Sequence, residues 1–272
     1  VAHALHEVER GRTVGQHHGL VPTRHPELLL ALRERRQRDV LQAELGEHGV
    51  RGDAQAGDRV DTYTDAQTGV TVYSVYGKSD RMTKEMLDTF DVLVFDIQDV
   101  GARFYTYLYS LAYAMQACAA AGIEFVVLDR PNPVTGAILE GPVLEYPEFS
   151  SFIGLYPLPL RHGMTIGEMA LLINDRFLEK KAKLTVIPVK GWRRGQWFDE
   201  TGLPWVTPSP NMPTLDTAVV YPGQVLFEGT NVSEGRGTTR PFEFFGAPWI
   251  DAALADAFVI PDALAPHFSE RV

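Results

Sequence analysis

Carboxylates placed beside glycines or at the ends of apolar runs are the residues of this chain best suited to chemistry, because glycosidic, phosphoryl and acyl transfer all draw on such groups. Glu47 lies in "GEHGVRGD", a glycine-flanked turn that either holds a carboxylate beside His48, Arg51 and Asp53 or is simply solvated. Asp96, Asp99 and Asp129 follow apolar runs; there a carboxylate either meets a ligand or caps a helix and ties down a loop. Glu140 in "ILEGPVLE", and Glu228 and Glu234 in "FEGTNVSEGRGTTR", stand near glycines that permit close approach of a ligand.

Aromatic residues add a second possibility. Tyr105, in the polar cluster "DIQDVGARFYTY", is placed to touch a ligand, whereas Tyr109 and Tyr113, four apart, read as core. Trp192, Trp197 and Trp205 offer faces on which a sugar could stack, or simply pack. No G-x-S-x-G elbow, H-E-x-x-H, paired C-x-x-C or G-x-x-x-x-G-K-[ST] occurs, which weighs against serine hydrolases, zincins, zinc ribbons and P-loop enzymes. "SEGRGTT" could cradle an anion, which leaves a nucleotide- or phosphate-binding reading open, but it lacks the lysine. The histidines show no metal-ligand spacing, so neither a metal nor a cofactor is expected. Cys118, the single cysteine, reads as a small buried apolar residue in "AMQACAAAG".

The elements that must position these groups are clearest over residues 83–129. "TKEMLDTF" predicts a short helix with Thr83 as its N-cap. "DVLVFDI" is a nearly unbroken apolar run, the pattern of a strand covered on both faces. "YTYLYSLAYAMQACAAAG" predicts a helix closed at Gly122, and "IEFVVL" a second buried strand. Strand, helix and strand joined by short links predict a parallel βαβ unit, whose strands deliver "DIQD" and "DRPNP" to the carboxyl edge where open α/β sheets bind ligands. Thr165 and Glu168 have the spacing of a capping box opening another helix, and "KLTVIPV" predicts a further strand. Residues 191–249 are rich in Pro, Gly and Trp and read as irregular, ligand-covering chain.

A formal net charge of −10 and the lack of a long basic run argue against nucleic acid as a partner. No apolar run reaches the roughly 18 residues of a membrane-spanning helix, and the chain shows no signal peptide. Oligomeric state is not legible in the sequence.

Taken in order, "EHGVRGDAQAG", "VFDIQDVGARFYTY", "VVLDRPNP", "EGPVLE", "GLYPLPLRHGMTIGEMA", "PSPNMPTLDTAVVYPG" and "FEGTNVSEGRGTTRPFE" closely resemble the NamZ-type exo-β-N-acetylmuramidases, over residues 47 to 251. The resemblance implies a Rossmann-like α/β domain, with a mainly parallel sheet and flanking helices, over residues 46–190. Residues 191–272 would then be a loop-rich region and the start of a smaller, truncated C-terminal α/β domain. It implies a glycoside hydrolase that releases N-acetylmuramic acid from the non-reducing end of peptidoglycan fragments, acting outside the cytoplasm. Glu47 would be its general acid or acid/base, with His48 beside it. Asp96, Gln98, Asp99, Arg103 and Tyr105 would shape the pocket, with Asn132, Glu140, Asn211, Glu228, Asn231, Glu234 and Arg236 as further substrate-binding candidates. Arg103 or Arg236 would suit the lactyl carboxylate of muramic acid.

Two features depart from the family pattern. Residues 1–45 hold five of the eight histidines and no lysine, and "RRQRDVLQAELGEHG" stands where the family has an apolar strand. That bias suggests a frameshifted segment. The family's C-terminal domain also continues past "GAPWIDAALADAF", so the expected cleft would lack part of one wall. The alternative reading is therefore a catalytically silent carbohydrate-binding α/β domain or an inactive fragment.

Overall fold

The computed structural model describes residues 61–64, 71–75 and 81–250. At their centre is a three-stranded parallel sheet, β3 (Val92–Phe95), β4 (Glu124–Leu128) and β5 (Lys183–Ile187), in the order β3-β4-β5. Val92 pairs with Glu124 and Phe95 with Val127; Glu124 in turn pairs with Lys183 and Leu128 with Ile187. A small antiparallel pair, β1 (Tyr63–Thr64) and β2 (Thr71–Val72), precedes the sheet.

Helix α1 (Lys84–Leu87) is capped by Thr83, whose hydroxyl accepts from Met86 N–H at 3.4 Å. Met86 and Leu87 pack against the core, and this holds the helix. Its Lys84–Asp88 ion pair is exposed on both sides, where water screens it, so it adds little. Helix α2 (Tyr107–Ala121) joins β3 to β4 and is buried along most of its length, as an apolar helix without a polar face must be. It closes at Gly122 in the left-handed conformation, φ 76°. Helix α3 (Ile166–Arg176) opens with the complete capping box: Glu168 N–H donates to the Thr165 hydroxyl at 3.2 Å, and Thr165 N–H to the Glu168 carboxylate at 3.0 Å.

The alternation of the strands divides the core. Leu93, Phe95, Phe125 and Val127 face α2 and α3, meeting Leu108, Leu111, Met115, Met169 and Ile173 in the main cluster. Val94, Val126 and Leu128 point the other way and form a smaller cluster with Val92 and Ile187 at its margin. β3 and β4 thus bury side chains on both faces, as their unbroken apolar runs predict.

The segment 191–249 is mostly irregular but contains one helix that its composition conceals. Helix α4 (Leu215–Gln224) is capped by Thr214 and carries Pro222 in its last turn, where the missing N–H and the following Gly223 disguise the helical pattern. Ala218, Tyr221 and the adjoining Val225 join Val100, Ala102, Tyr105, Tyr107, Val134, Met212 and Phe242 in an aromatic-rich second core. Ile97 lies at the margin of both this core and the main one. Among the described residues no helix is long and apolar enough to cross a membrane.

Candidate functional site

The carboxyl ends of β3 and β4 carry a connected set of polar side chains. Asp96, directly after β3, pairs with Arg130, two residues beyond β4: Nε and Nη2 both donate to Asp96 Oδ1, at 2.9 and 2.7 Å. Gln98 ties the two strand ends together, its amide nitrogen donating to the carbonyls of Asp99 at 2.7 Å and Pro131 at 2.9 Å. Asn132 accepts from Val134 N–H at 3.0 Å and donates to the Met164 carbonyl at 2.9 Å.

Behind this edge, residues 101–103 run against 160–162. Arg103 N–H donates to the Leu160 carbonyl at 2.7 Å, and His162 N–H to the Gly101 carbonyl at 3.3 Å. Asp99 and His162 are both buried between them. Asp99 Oδ2 accepts from Gly101 N–H at 2.7 Å and lies 3.2 Å from His162 Nε2. Met164 N–H donates to His162 Nδ1 at 3.3 Å, so in the neutral ring Nε2 carries the proton given to Asp99. Among the described residues Asp99 Oδ1 has no hydrogen-bond partner. Arg103, only 5% exposed, gives Nη1 to the carbonyls of Leu158 at 2.7 Å and Pro142 at 3.2 Å, and burial lowers the pKa of its guanidinium. The Tyr109 hydroxyl donates to the Arg103 carbonyl at 2.6 Å, which confirms Tyr109 as a packing residue.

Asp129 takes the capping role that its position left open. Its Oδ1 accepts from Gly167 N–H at 2.7 Å and Arg130 N–H at 3.0 Å, and its Oδ2 from the Thr165 hydroxyl at 2.9 Å. Gly167 is required there, because a Cβ would lie 2.7 Å from the Asp129 carboxyl carbon. Burial raises the Asp129 pKa above its ordinary 3.8, against the lowering effect of these hydrogen bonds. The folded chain therefore retains this proton at pH values where the unfolded chain has released it, so the contribution of Asp129 to stability falls as pH rises through that window. We expect the stability advantage of wild type over Asp129→Asn, measured by urea unfolding across a pH series, to shrink as pH rises above 3.8. A constant or growing advantage would contradict this.

A ladder of rings leads from the sheet edge to the remaining candidates. Tyr105 meets Tyr107 at 4.7 Å and Tyr221 at 5.9 Å between ring centroids, and Tyr221 meets Phe242 edge-on at 4.8 Å. Burial holds the Tyr105 phenol protonated well above its usual range. Beyond Phe242, the Arg236 guanidinium lies 5.6 Å from the ring centroid and pairs with Glu228 and, through Nε at 3.3 Å, with Glu234. Burial raises the Glu228 pKa, opposed by Arg236.

Asp96, Gln98 and Asn132 are thus gathered at one edge, with Asp99 and Arg103 buried behind it and Tyr105 at the head of the ladder, while Glu228, Glu234 and Arg236 form a second group reached through the ladder. Glu140, its side chain 47% exposed, pairs with Arg161 at 2.6 Å. Asn211 is buried and Asn231 exposed. Glu47 and His48 lie outside the described residues. Of the tryptophans, Trp205 donates Nε1 to the Met212 carbonyl at 3.2 Å, Trp197 faces Arg161 at 5.2 Å and Trp192 faces Arg194 at 5.7 Å.

Sequence reasoning passed over Arg130, Arg161 and His162, although "DRPNP" and "RHGMT" contain them. Their one signal was position, immediately after a strand or just before a capping box.

The family description "Exo-beta-N-acetylmuramidase NamZ, N-terminal" matches residues 14–216, and its C-terminal counterpart matches residues 219–261. A peptidoglycan beta-N-acetylmuramidase NamZ of Bacillus subtilis is 62% identical over 204 residues, covering 75% of this chain and 49% of that protein. A DUF1343 family crystal structure from Bacteroides fragilis superposes with a TM-score of 0.69 at 43% identity, covering 78% of this chain and 54% of that one. A second from the same organism has a TM-score of 0.62 at 40% identity, covering 74% of this chain and 52% of that one. The chain therefore spans about half the length of the relatives it matches.

Proposed function

Since the chain belongs to the NamZ exo-β-N-acetylmuramidase family, we propose that it is an exo-acting glycosidase releasing N-acetylmuramic acid from the non-reducing end of peptidoglycan fragments. The observation that carries this reading is the match to the N-terminal family description across residues 14–216. The polar carboxyl edge of the sheet supports it, since open α/β sheets bind ligands there.

Hydrolysis of the β-1,4 bond needs a proton for the leaving oxygen, together with a carboxylate nucleophile, a base for water or the substrate's own 2-acetamido group. Glu47 supplies the proton in this reading, with His48 as its neighbour. The aromatic ladder and the Glu228–Arg236–Glu234 group would form the far wall around the terminal sugar. Peptidoglycan lies outside the cytoplasm, and the reading places the protein there too.

Incubating the 272-residue chain with a muramic-acid-terminated disaccharide tests the proposal. Mass analysis should find free N-acetylmuramic acid and the shortened partner sugar. Binding without cleavage would instead favour a silent carbohydrate-binding domain, and neither binding nor cleavage would remove both readings.

A further inference from the structure

Muramic acid differs from glucosamine by a lactyl ether whose carboxylate is ionised at neutral pH, so an enzyme that selects it needs a cation with donors to spare. Among the described residues, most of the arginines near the site are committed elsewhere. Arg103 is buried with Nη1 on two carbonyls, and its Nε, without a partner among the described residues, is sealed from solvent. Arg161 gives Nε and Nη2 to the Val134 carbonyl and Nη1 to Glu140. Arg194 is held by Glu168 and by the Gly136 and Gly163 carbonyls. Arg236 also leaves Nη1 without a partner among the described residues, but its charge is already offset by two carboxylates, Glu228 on Nη2 and Glu234 on Nε.

Arg130 is different. Its Nε and Nη2 meet a single carboxylate oxygen, Asp96 Oδ1, while Nη1 has no partner among the described residues. A guanidinium carries five N–H donors in a planar fork. With the Nε side fixed on Asp96, the outer edge formed by Nη1 and the second Nη2 hydrogen remains open to a carboxylate in bidentate geometry. The pair is partly buried, with 19% of the Arg130 side chain and 13% of Asp96 exposed. It stands at the carboxyl edge between adjacent parallel strands, where the fold places ligands.

Resting on the function proposed above, we infer that Arg130, oriented by Asp96, reads the lactyl carboxylate and makes the site selective for muramic acid. This replaces Arg103 and Arg236 as the residues for that task. A sugar without the carboxylate leaves a partly desolvated cationic edge unpaired, and a site built to hydrogen-bond a group rejects analogues that lack it.

The test compares a muramic-acid-terminated disaccharide with its lactyl methyl ester, which keeps the shape but removes the charge. Wild type should favour the free acid in kcat/KM by about 10- to 100-fold, the range of hydrogen bonds to charged groups. In Arg130→Gln the ratio should collapse towards one, and Arg130→Lys should recover part of it. A wild-type ratio near one overturns the inference whether or not the variants fold. So does an Arg130→Gln variant that keeps the preference, or an Arg236→Gln variant that alone abolishes it. Cleavage of neither substrate by wild type removes the functional reading and the inference with it, whereas cleavage without discrimination removes the inference alone.

Discussion

Replacing Glu47 with Gln is expected to lower release of N-acetylmuramic acid from a disaccharide by about 10²- to 10⁴-fold, the usual contribution of a positioned general acid. The amide matches the carboxyl in size but cannot deliver a proton to the leaving oxygen. The nature of the leaving group provides an internal check. A nitrophenolate departs with little protonation, so the loss should be smaller on a nitrophenyl muramide than on the disaccharide. Both rates can be measured on the same preparation, with thermal unfolding as the control for folding. Activity within a few-fold of wild type on the disaccharide would remove Glu47 from the role.

The second large effect is on stability. Gly101 adopts φ 79°, and a Cβ there would lie 2.5 Å from Asn132 Oδ1 and 2.6 Å from Val134 Cγ2. Gly101→Ala therefore combines left-handed backbone strain of about 1–2 kcal/mol with an overpacking cost of about 1–3 kcal/mol. For a chain of this size the sum, about 2–5 kcal/mol, corresponds to a Tm lower by roughly 5–20 °C. Gly122→Ala is the matched comparison, because its φ of 76° is similar but nothing lies within 4 Å of the added Cβ. Gly122→Ala should therefore lose only the strain. Equal losses in thermal melts of the two variants would show that the contact with Asn132 does not matter. Because Gly101 also donates to Asp99 and accepts from His162, Gly101→Ala should weaken substrate binding along with the fold.

Much of the framework was legible in the sequence because local chemistry specifies it. The apolar runs of β3 and β4, the left-handed closure at Gly122 and the Thr165–Glu168 capping box each depend on neighbours within a few residues. Helix α4 was hidden because Pro222 and Gly223 occupy its last turn, and packing against Tyr105 and Val100 overrides their local preference. The position of the polar cluster after β3 was readable, but the engagement of its atoms was not. Arg103 looked free until Leu158, 55 residues away, supplied the carbonyl that holds it. Arg130 escaped notice for the converse reason: its pairing with Asp96 spans 34 residues, and only the parallel register of β3 and β4 brings them together.

Ile97 touches the margins of two cores that otherwise gather different side chains, one around α2 and α3 and the other around the tyrosines and Phe242. The two cores also share α2, since Leu108 belongs to the first and its neighbour Tyr107 to the second. The aromatic core carries Arg236 beside Phe242. A substitution at Ile97 acts on the coupling between the two.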